Sequence, residues 1–180
     1  MSETLETAVF GGGCFWCIEA VFQQLHGVHE AAPGYAGGDR DQPTYKEVCT
    51  GRTGHAEVIR VRFDPDAIGY RELLEVLFSI HDPTQRNRQG NDVGPQYRSC
   101  IMPKDDEQER IARAFISEQD ASGAWPAPVV TTVEPGTTFW PAEAEHHDFY
   151  LRNTMQPYCQ VMITPKLEHA RTRFPERVAG

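Results

Sequence analysis

The chain has 180 residues, 39% of them hydrophobic, which suits a single domain with a sizeable core and excludes a disordered chain. Its 17 lysines and arginines against 26 aspartates and glutamates give a net charge of −9, which argues against nucleic acid or an anionic membrane as partner. No apolar run is long enough to span a bilayer and Met1-Ser2-Glu3-Thr4 does not read as a signal peptide, so a cytoplasmic setting without membrane attachment is expected. The five cysteines (14, 17, 49, 100 and 159) are then mostly reduced. An odd number without a secretory signal points to catalytic or redox thiols plus one or two structural ones, not to a disulfide scaffold.

In chain order, Ala8-Val9-Phe10 reads as the end of a buried strand running into Gly11-Gly12-Gly13-Cys14-Phe15-Trp16-Cys17. Trp16, Ile18, Val21, Phe22 and Leu25 then recur at helical spacing, which places Cys14 at or just before a helix N-terminus. Free amides and the helix dipole there are expected to stabilise a thiolate, giving a low-pKa nucleophile beside two aromatics. The alternative is a buried cysteine acting as a small hydrophobe. Val28 to Tyr35 reads as a strand closed by Gly37-Gly38, and Pro43 to Cys49 as a short helical turn.

His55 to Phe63 is the clearest strand. Alternation puts Glu57, Ile59, Val61 and Phe63 on one face and Ala56, Val58, Arg60 and Arg62 on the other. Glu57 is then either an ordinary strand-end carboxylate paired with arginine, or a buried one whose raised pKa makes it a proton donor near neutral pH. Ile68 to Ile80 forms an amphipathic helix stopped by Asp82-Pro83, followed by a long polar loop, Asp82 to Gly94, which is either functional or a solvated excursion, the commoner case for such composition. Gln96 to Met102 reads as a strand with Tyr97, Ser99 and Ile101 on one face, and Lys104 to Asp120 as a charged helix with a stripe at Ile111 and Phe115. Pro128 to Val133 reads as a strand, Pro141 to Arg152 as a helix, the segment around Cys159 as coil, and a last short helix starts at Pro165. Strands separated by helices imply an α/β layered domain.

The Cys14-x-x-Cys17 pair has three readings. A zinc site needs two more ligands, and His26 and His29 lie too close along a regular helix. A thioredoxin-like dithiol fits a strand-to-helix junction, but Phe15-Trp16 suits a substrate pocket better than a surface for docking disulfides. A thiol enzyme whose nucleophile is resolved by a neighbouring cysteine fits all three features. Sulfur–aromatic contacts, worth about 0.3–1.5 kcal/mol, would favour a thioether-like substrate group.

The ordered set Gly13-Cys14-Phe15-Trp16, Gly34-Tyr35-Ala36-Gly37-Gly38, Pro43-Thr44-Tyr45, Gly54-His55-Ala56-Glu57-Val58, His81-Asp82-Pro83-Thr84 and Gln89 to Ser99, continued by Ala142-Glu143 and His146, resembles the A-type peptide methionine sulfoxide reductases. The resemblance runs from about Val9 to Leu167. It implies a ferredoxin-like two-layer α/β sandwich with a mixed sheet, long irregular loops and a C-terminal coil, forming a single catalytic domain over 1–180 (core about 5–153, tail 154–180 carrying Cys159). It implies reduction of the S epimer of methionine sulfoxide, free or in proteins, through a Cys14 sulfenic acid and an intramolecular disulfide recycled by thioredoxin, or by dithiothreitol in vitro. No bound cofactor or metal is implied, and a monomer is expected. By resemblance Cys14 is the nucleophile, Glu57 the proton donor, Tyr45 and Tyr97 the hydroxyls that hold the sulfoxide oxygen, Phe15 and Trp16 the walls of the methyl pocket, and Asp92 a polar residue that orients the substrate. The other classes to be weighed are a general dithiol oxidoreductase and a methionine-binding redox sensor without catalysis.

This chain departs from the family's common pattern at Arg86 and Pro95, to which no role is assigned, and at two places that concern the thiols. Cys17 stands where glycine is frequent, and Pro157-Tyr158-Cys159 replaces Gly-Tyr-Cys with no further cysteine after it. Both Cys17 and Cys159 are therefore candidate resolving thiols. Cys17 is expected to act first, with Cys159 relaying the disulfide or remaining silent. Cys49 and Cys100 match no catalytic position and are expected to be packing residues.

Overall fold

A computed structural model describes residues 4–178, so the ends of the expected 1–180 domain, 1–3 and 179–180, lie outside the described residues. Strand β1 (Glu6–Gly11) leads through the glycine run into helix α1 (Phe15–Phe22), and β2 (Val28–Ala36), the short α2 (Tyr45–Cys49), β3 (Ala56–Phe63) and α3 (Tyr70–Ser79) follow. A small hairpin, β4 (Arg88–Gln89) with β5 (Asp92–Val93), organises the long polar loop, and β6 (Cys100–Met102) returns to the sheet. Helix α4 (Asp106–Ala121), two-residue strands β7 (Thr132–Val133) and β8 (Trp140–Pro141), and helices α5 (Phe149–Arg152) and α6 (Thr164–Arg173) complete the chain.

The six-stranded sheet has the order β7-β6-β1-β3-β2-β8. All pairs are antiparallel except β6 with β7. The inner four strands carry the βαββαβ ferredoxin-like connection, with α1 and α3 as the two crossovers. Alternation works as expected in β1 and β3. Ala8, Phe10, Ile59, Val61 and Phe63 enter the main core under the helices, while Val9, Val58, Cys100 and Met102 form a smaller core on the opposite face.

Two glycines explain how β1 delivers Cys14 to β3. A Cβ on Gly11 would lie 2.4 Å from the Glu57 carbonyl oxygen, so only glycine lets the strands approach there. Gly13 has φ +96°, a conformation that side-chain-bearing residues rarely adopt, and it turns the chain so that Cys14 caps α1.

Four sequence expectations are corrected. Gln96 to Met102 is not one strand: Gly94 (φ 140°) and Pro95 start a 3-10 turn over Pro95–Tyr97, and only Cys100–Met102 pairs with β1. Pro128 to Val133 pairs only at Thr132 and Val133, where the chain has left the prolines that lack amide donors. Pro141 to Arg152 is not a helix. Pro141 pairs with Gly34 in β8, and Asp148, at φ +57°, separates a 3-10 turn (Ala144–His146) from α5. The segment around Cys159 is not coil either, because Pro157 opens a helix that continues through a π turn (Cys159–Ile163) into α6. Pro165 has no amide to give to the turn before it, and the π turn shifts the hydrogen-bond register at that point. Ile163, Leu167, Ala170, Phe174 and Val178 pack into the main core, so the C-terminal segment belongs to the folded body.

Candidate active site

The first turn of α1 and the first residues of β3 meet at one point. Cys14, the N-cap residue, and Phe15, Cys17 and Glu57 are all buried. The Phe15 amide donates to Glu57 Oε1 at 3.1 Å. Glu57 Oε2 is buried without a hydrogen-bond partner. This settles the open question at Glu57: it is no strand-end ion pair but a carboxyl withdrawn from water. Burial pushes its pKa up to about 8, against the Phe15 amide and with help from Asp92 and Cys17.

The thiols differ from expectation. Burial, donation of its hydrogen to Cys17 and the neighbouring Glu57 charge hold the Cys14 thiol well above its ordinary range. The helix N-terminus does not offset this, because the first free amide, that of Phe15, is spent on Glu57. Cys17 is shifted down, first by the hydrogen bond from Cys14, against its burial, and then by the charge of Lys166. Lys166 donates to the Ile80 carbonyl at 2.7 Å, which fixes it at the end of α3. Cys14, Cys17 and Glu57 thus share negative charge in a desolvated cluster: a proton on Glu57 removes the Coulombic obstacle to a Cys14 thiolate.

Aromatic residues enclose the cluster. The Phe15 ring lies 5.7 Å from Tyr35 and 6.1 Å from Tyr45, centroid to centroid, and Trp16 lies 6.3 Å from Tyr45. Tyr45 is presented by the capping box at the start of α2, where Thr44 Oγ1 accepts from the Glu47 amide at 3.1 Å and Glu47 accepts from the Thr44 amide at 2.9 Å. Glu143 ties this turn to the sheet, accepting from the Tyr45 amide and from the Tyr35 hydroxyl, each at 2.8 Å. Tyr97, placed by the 3-10 turn, lies within electrostatic reach of Glu57, Asp92 and Cys14. Burial raises both the Tyr45 and Tyr97 hydroxyls, with Glu57 adding to it, so both remain protonated donors. Asp92, at the start of β5, is raised by burial and lowered by a hydrogen bond from Tyr158.

Trp16 is fixed on several sides. Its indole N–H donates to His146 Nδ1 at 3.1 Å, Phe149 stacks on it at 3.7 Å and 6°, and Tyr158 meets it edge-on at 5.7 Å. A cleft of about 440 Å³ opens beside Trp16, Tyr45, His146 and Phe149. Among the described residues no cluster of histidine, cysteine or acidic side chains forms a metal site. Among the described residues no helix is long and apolar enough to cross a membrane.

All nine residues singled out from the sequence are brought together except in one respect. Cys159 is fully buried in the π turn, and it is Tyr158 that reaches the thiols, hydrogen-bonding Cys14 and Cys17. Of the remaining cysteines, Cys100 packs in the smaller core, but Cys49 is exposed and hydrogen-bonds the Tyr45 side chain, so it is not a packing residue. Sequence reasoning missed Tyr158, Phe149, Lys166 and Glu19. Of these only Glu19 left a signal, as a carboxylate inside an apolar helical stripe.

A family model described as peptide methionine sulfoxide reductase matches residues 6–178. The peptide methionine sulfoxide reductase MsrA of Granulibacter bethesdensis is 53% identical over 97% of this chain and 94% of its own length. That of Thermus thermophilus is 52% identical over 94% of this chain and 95% of its own length. Among solved structures, methionine sulfoxide reductase A of Corynebacterium diphtheriae superposes with a TM-score of 0.78 at 35% identity, covering 84% of this chain and 76% of that one. Mxr1 of Saccharomyces cerevisiae in reduced form also gives 0.78, at 31% identity and 86% and 89% coverage. With the family model covering nearly the whole chain and relatives about half identical over almost their full length, the chain belongs to the peptide methionine sulfoxide reductase family.

Proposed function

We propose that Cys14 attacks the sulfur of the S epimer of methionine sulfoxide, free or in a protein, and that Glu57 supplies the proton the sulfoxide oxygen needs. The observation that carries this is the unpartnered Oε2 of Glu57, buried next to Cys14 on a carboxyl that is mostly protonated at neutral pH. The Cys14 thiolate forms a bond to the substrate sulfur, and the oxygen takes the Glu57 proton. The hydroxyl then passes from the substrate sulfur to the Cys14 sulfur, so that the substrate S–O bond and the Cys14–substrate S–S bond both break, methionine departs, and a Cys14 sulfenic acid and a Glu57 carboxylate remain. Tyr45 and Tyr97 donate to the oxygen as its negative charge develops, Phe15 and Trp16 bound the methyl group, and Asp92 orients the substrate.

Cys17 then condenses with the sulfenic acid, forming the Cys14–Cys17 disulfide and releasing water. The shared hydrogen bond and the lowered Cys17 pKa support this order, since the attacking group must be a thiolate. Cys159 lies in the electrostatic neighbourhood of Cys17, which supports a second exchange in which Cys159 attacks the Cys17 sulfur and frees Cys14. An external dithiol of the thioredoxin type reduces the final disulfide. Mxr1 in complex with Trx2 shares this fold at a TM-score of 0.56 and 22% identity, and it fits such a partner. The same chemistry suits a monomer in the cytoplasm with no bound cofactor.

The test is mass spectrometry of the unreduced protein after one turnover. A Cys14–Cys17 bond is expected first, and in Cys159→Ser it accumulates. A Cys14–Cys159 bond formed at undiminished rate in Cys17→Ser would overturn the order. Glu57→Gln that left insulin-disulfide reduction as the main activity would favour the general dithiol oxidoreductase.

A further inference from the structure

Glu19 is a carboxylate in the middle of α1, a helix buried on nearly every side, and it is 1% exposed. Among the described residues it forms no salt bridge, although Arg152 lies within electrostatic reach. Its two oxygens instead accept from consecutive backbone amides far along the chain, Oε2 from Asp148 at 2.9 Å and Oε1 from Phe149 at 3.3 Å. Those two amides belong to the first turn of α5, and Asp148 sits there at φ +57°. Gln23, one turn further along α1, donates to Asp148 Oδ1 at 2.5 Å. The same helix therefore grips the 148–149 turn twice. Phe149, the residue so held, lies parallel to the Trp16 indole at 3.7 Å, and Trp16 is on the turn of α1 before Glu19.

Four-residue α5 cannot hold its own geometry, since a single turn forms one hydrogen bond for several fixed dihedrals. An αL aspartate at its start is a further local cost. The position of the Phe149 ring is thus imposed from outside, and Glu19 and Gln23 are the α1 side chains that fix the start of the turn, while Asn153 bonding the Phe149 carbonyl and Tyr150 bonding Thr164 hold its far end.

We propose that Glu19 is a positioning residue for substrate binding: by fixing the 148–149 turn it clamps Phe149 against Trp16 and so holds the indole as a wall of the methionine sulfoxide pocket. This rests on the reading of Trp16 as that wall. A loosened Phe149 removes the ring stacked closest on the indole and leaves it held by His146, Tyr158 and the more distant Tyr45 and Phe15 rings, so the pocket must be ordered further at the time of binding. The reacting thiol and the Glu57 proton are untouched. The expected signature is a higher half-saturation concentration with an unchanged saturating rate.

The experiment compares Glu19→Gln, Phe149→Ala and the double variant in single turnovers of methionine sulfoxide, with Trp16 emission read in a Trp125→Phe/Trp140→Phe background. Gln keeps the shape but meets one of the two amides with an NH2 group, so one charge-assisted bond is lost. Glu19→Gln should raise the half-saturation concentration roughly tenfold, keep the saturating rate within about twofold and shift Trp16 emission. The double variant should be no worse than Phe149→Ala, because both changes act through one ring. Effects that multiply, an unmoved Trp16 emission, or a loss confined to the saturating rate would overturn the proposal. Trp16→Ala in the same assay keeps the two failures apart. If it raises the half-saturation concentration while Glu19→Gln binds substrate normally, only the Glu19 inference falls; if it leaves the half-saturation concentration unchanged, the reading of Trp16 as the wall falls.

Discussion

Replacing Glu57 by Gln tests the centre of the mechanism, because the change keeps size and the hydrogen bond from the Phe15 amide while removing the transferable proton. With a pKa of about 8 the carboxyl is about 90% protonated at pH 7, so wild type enters the reaction already charged with its acid. A positioned acid contributes about 10²–10⁴ in rate, and a loss within that range is expected in the single-turnover formation of methionine. Two further signs are fixed by the structure. The wild-type rate should fall as pH rises through about 8, where Glu57 loses its proton, and the Gln variant should lack this limb. The Glu57 carboxylate is also one of the causes that hold the Cys14 thiol up, so above about pH 8, where wild-type Glu57 is ionised, alkylation of Cys14 by iodoacetamide should be faster in Glu57→Gln even as sulfoxide reduction collapses. A variant that keeps activity within a few-fold, or that keeps the alkaline limb, would refute Glu57 as the proton source.

The same residue makes a stability prediction. A folded-state pKa raised from 4.5 to about 8 means that Glu57's contribution is fully present below about pH 4.5 and is lost as pH rises through about 8, so Glu57→Gln should melt above wild type at pH 9 and lose that advantage at pH 4. Gly13→Ala places a Cβ at φ +96° within 2.8 Å of Gln89 and should cost about 1–3 kcal/mol in urea unfolding, with activity falling because Cys14 is displaced. Tyr158→Phe removes the hydroxyl shared by Cys14, Cys17 and Asp92 and should raise the apparent pKa of thiol alkylation. Glu143→Gln weakens the bonds to Tyr35 and Tyr45 and should slow sulfoxide reduction by roughly tenfold, as expected for about 1.4 kcal/mol of a charged hydrogen bond.

The parts of this fold that were legible in the sequence are those governed by a local period. Alternation in β3 placed Glu57 on the face of Ile59 and Val61, and the glycine run followed by an apolar helix placed Cys14 at an N-cap. The parts that were not legible are those whose geometry is imposed from a distance. The spacing of Tyr97, Ser99 and Ile101 mimics a strand, yet Pro95 makes Tyr97 part of a turn, which is what brings its ring toward Glu57. The span from Pro141 to Arg152 has helical composition but is cut by an aspartate held in the left-handed region through Glu19 and Gln23, both more than a hundred residues away. Nothing between 141 and 152 reports that constraint.

The thiols show why a motif can be right about position and wrong about electrostatics. A helix N-terminus lowers a thiol pKa only while its amides are free to face the sulfur. Here the carboxyl of Glu57 takes the Phe15 amide, and burial raises both acids together. That arrangement serves sulfoxide chemistry better than a pre-formed thiolate beside a carboxylate. The reaction consumes one thiolate and one proton: Glu57 holds the proton, and the Cys14 hydrogen, already donated to Cys17, is one proton shift from leaving Cys14 as the thiolate. With the carboxylate formed after turnover, the negative charge returns to the cluster while Cys17 is the thiol most readily ionised. On the proposed order the step that follows the chemistry falls to Cys17, whose thiol is shifted down, and Cys159, buried in the helical turn within electrostatic reach of Cys17, acts second.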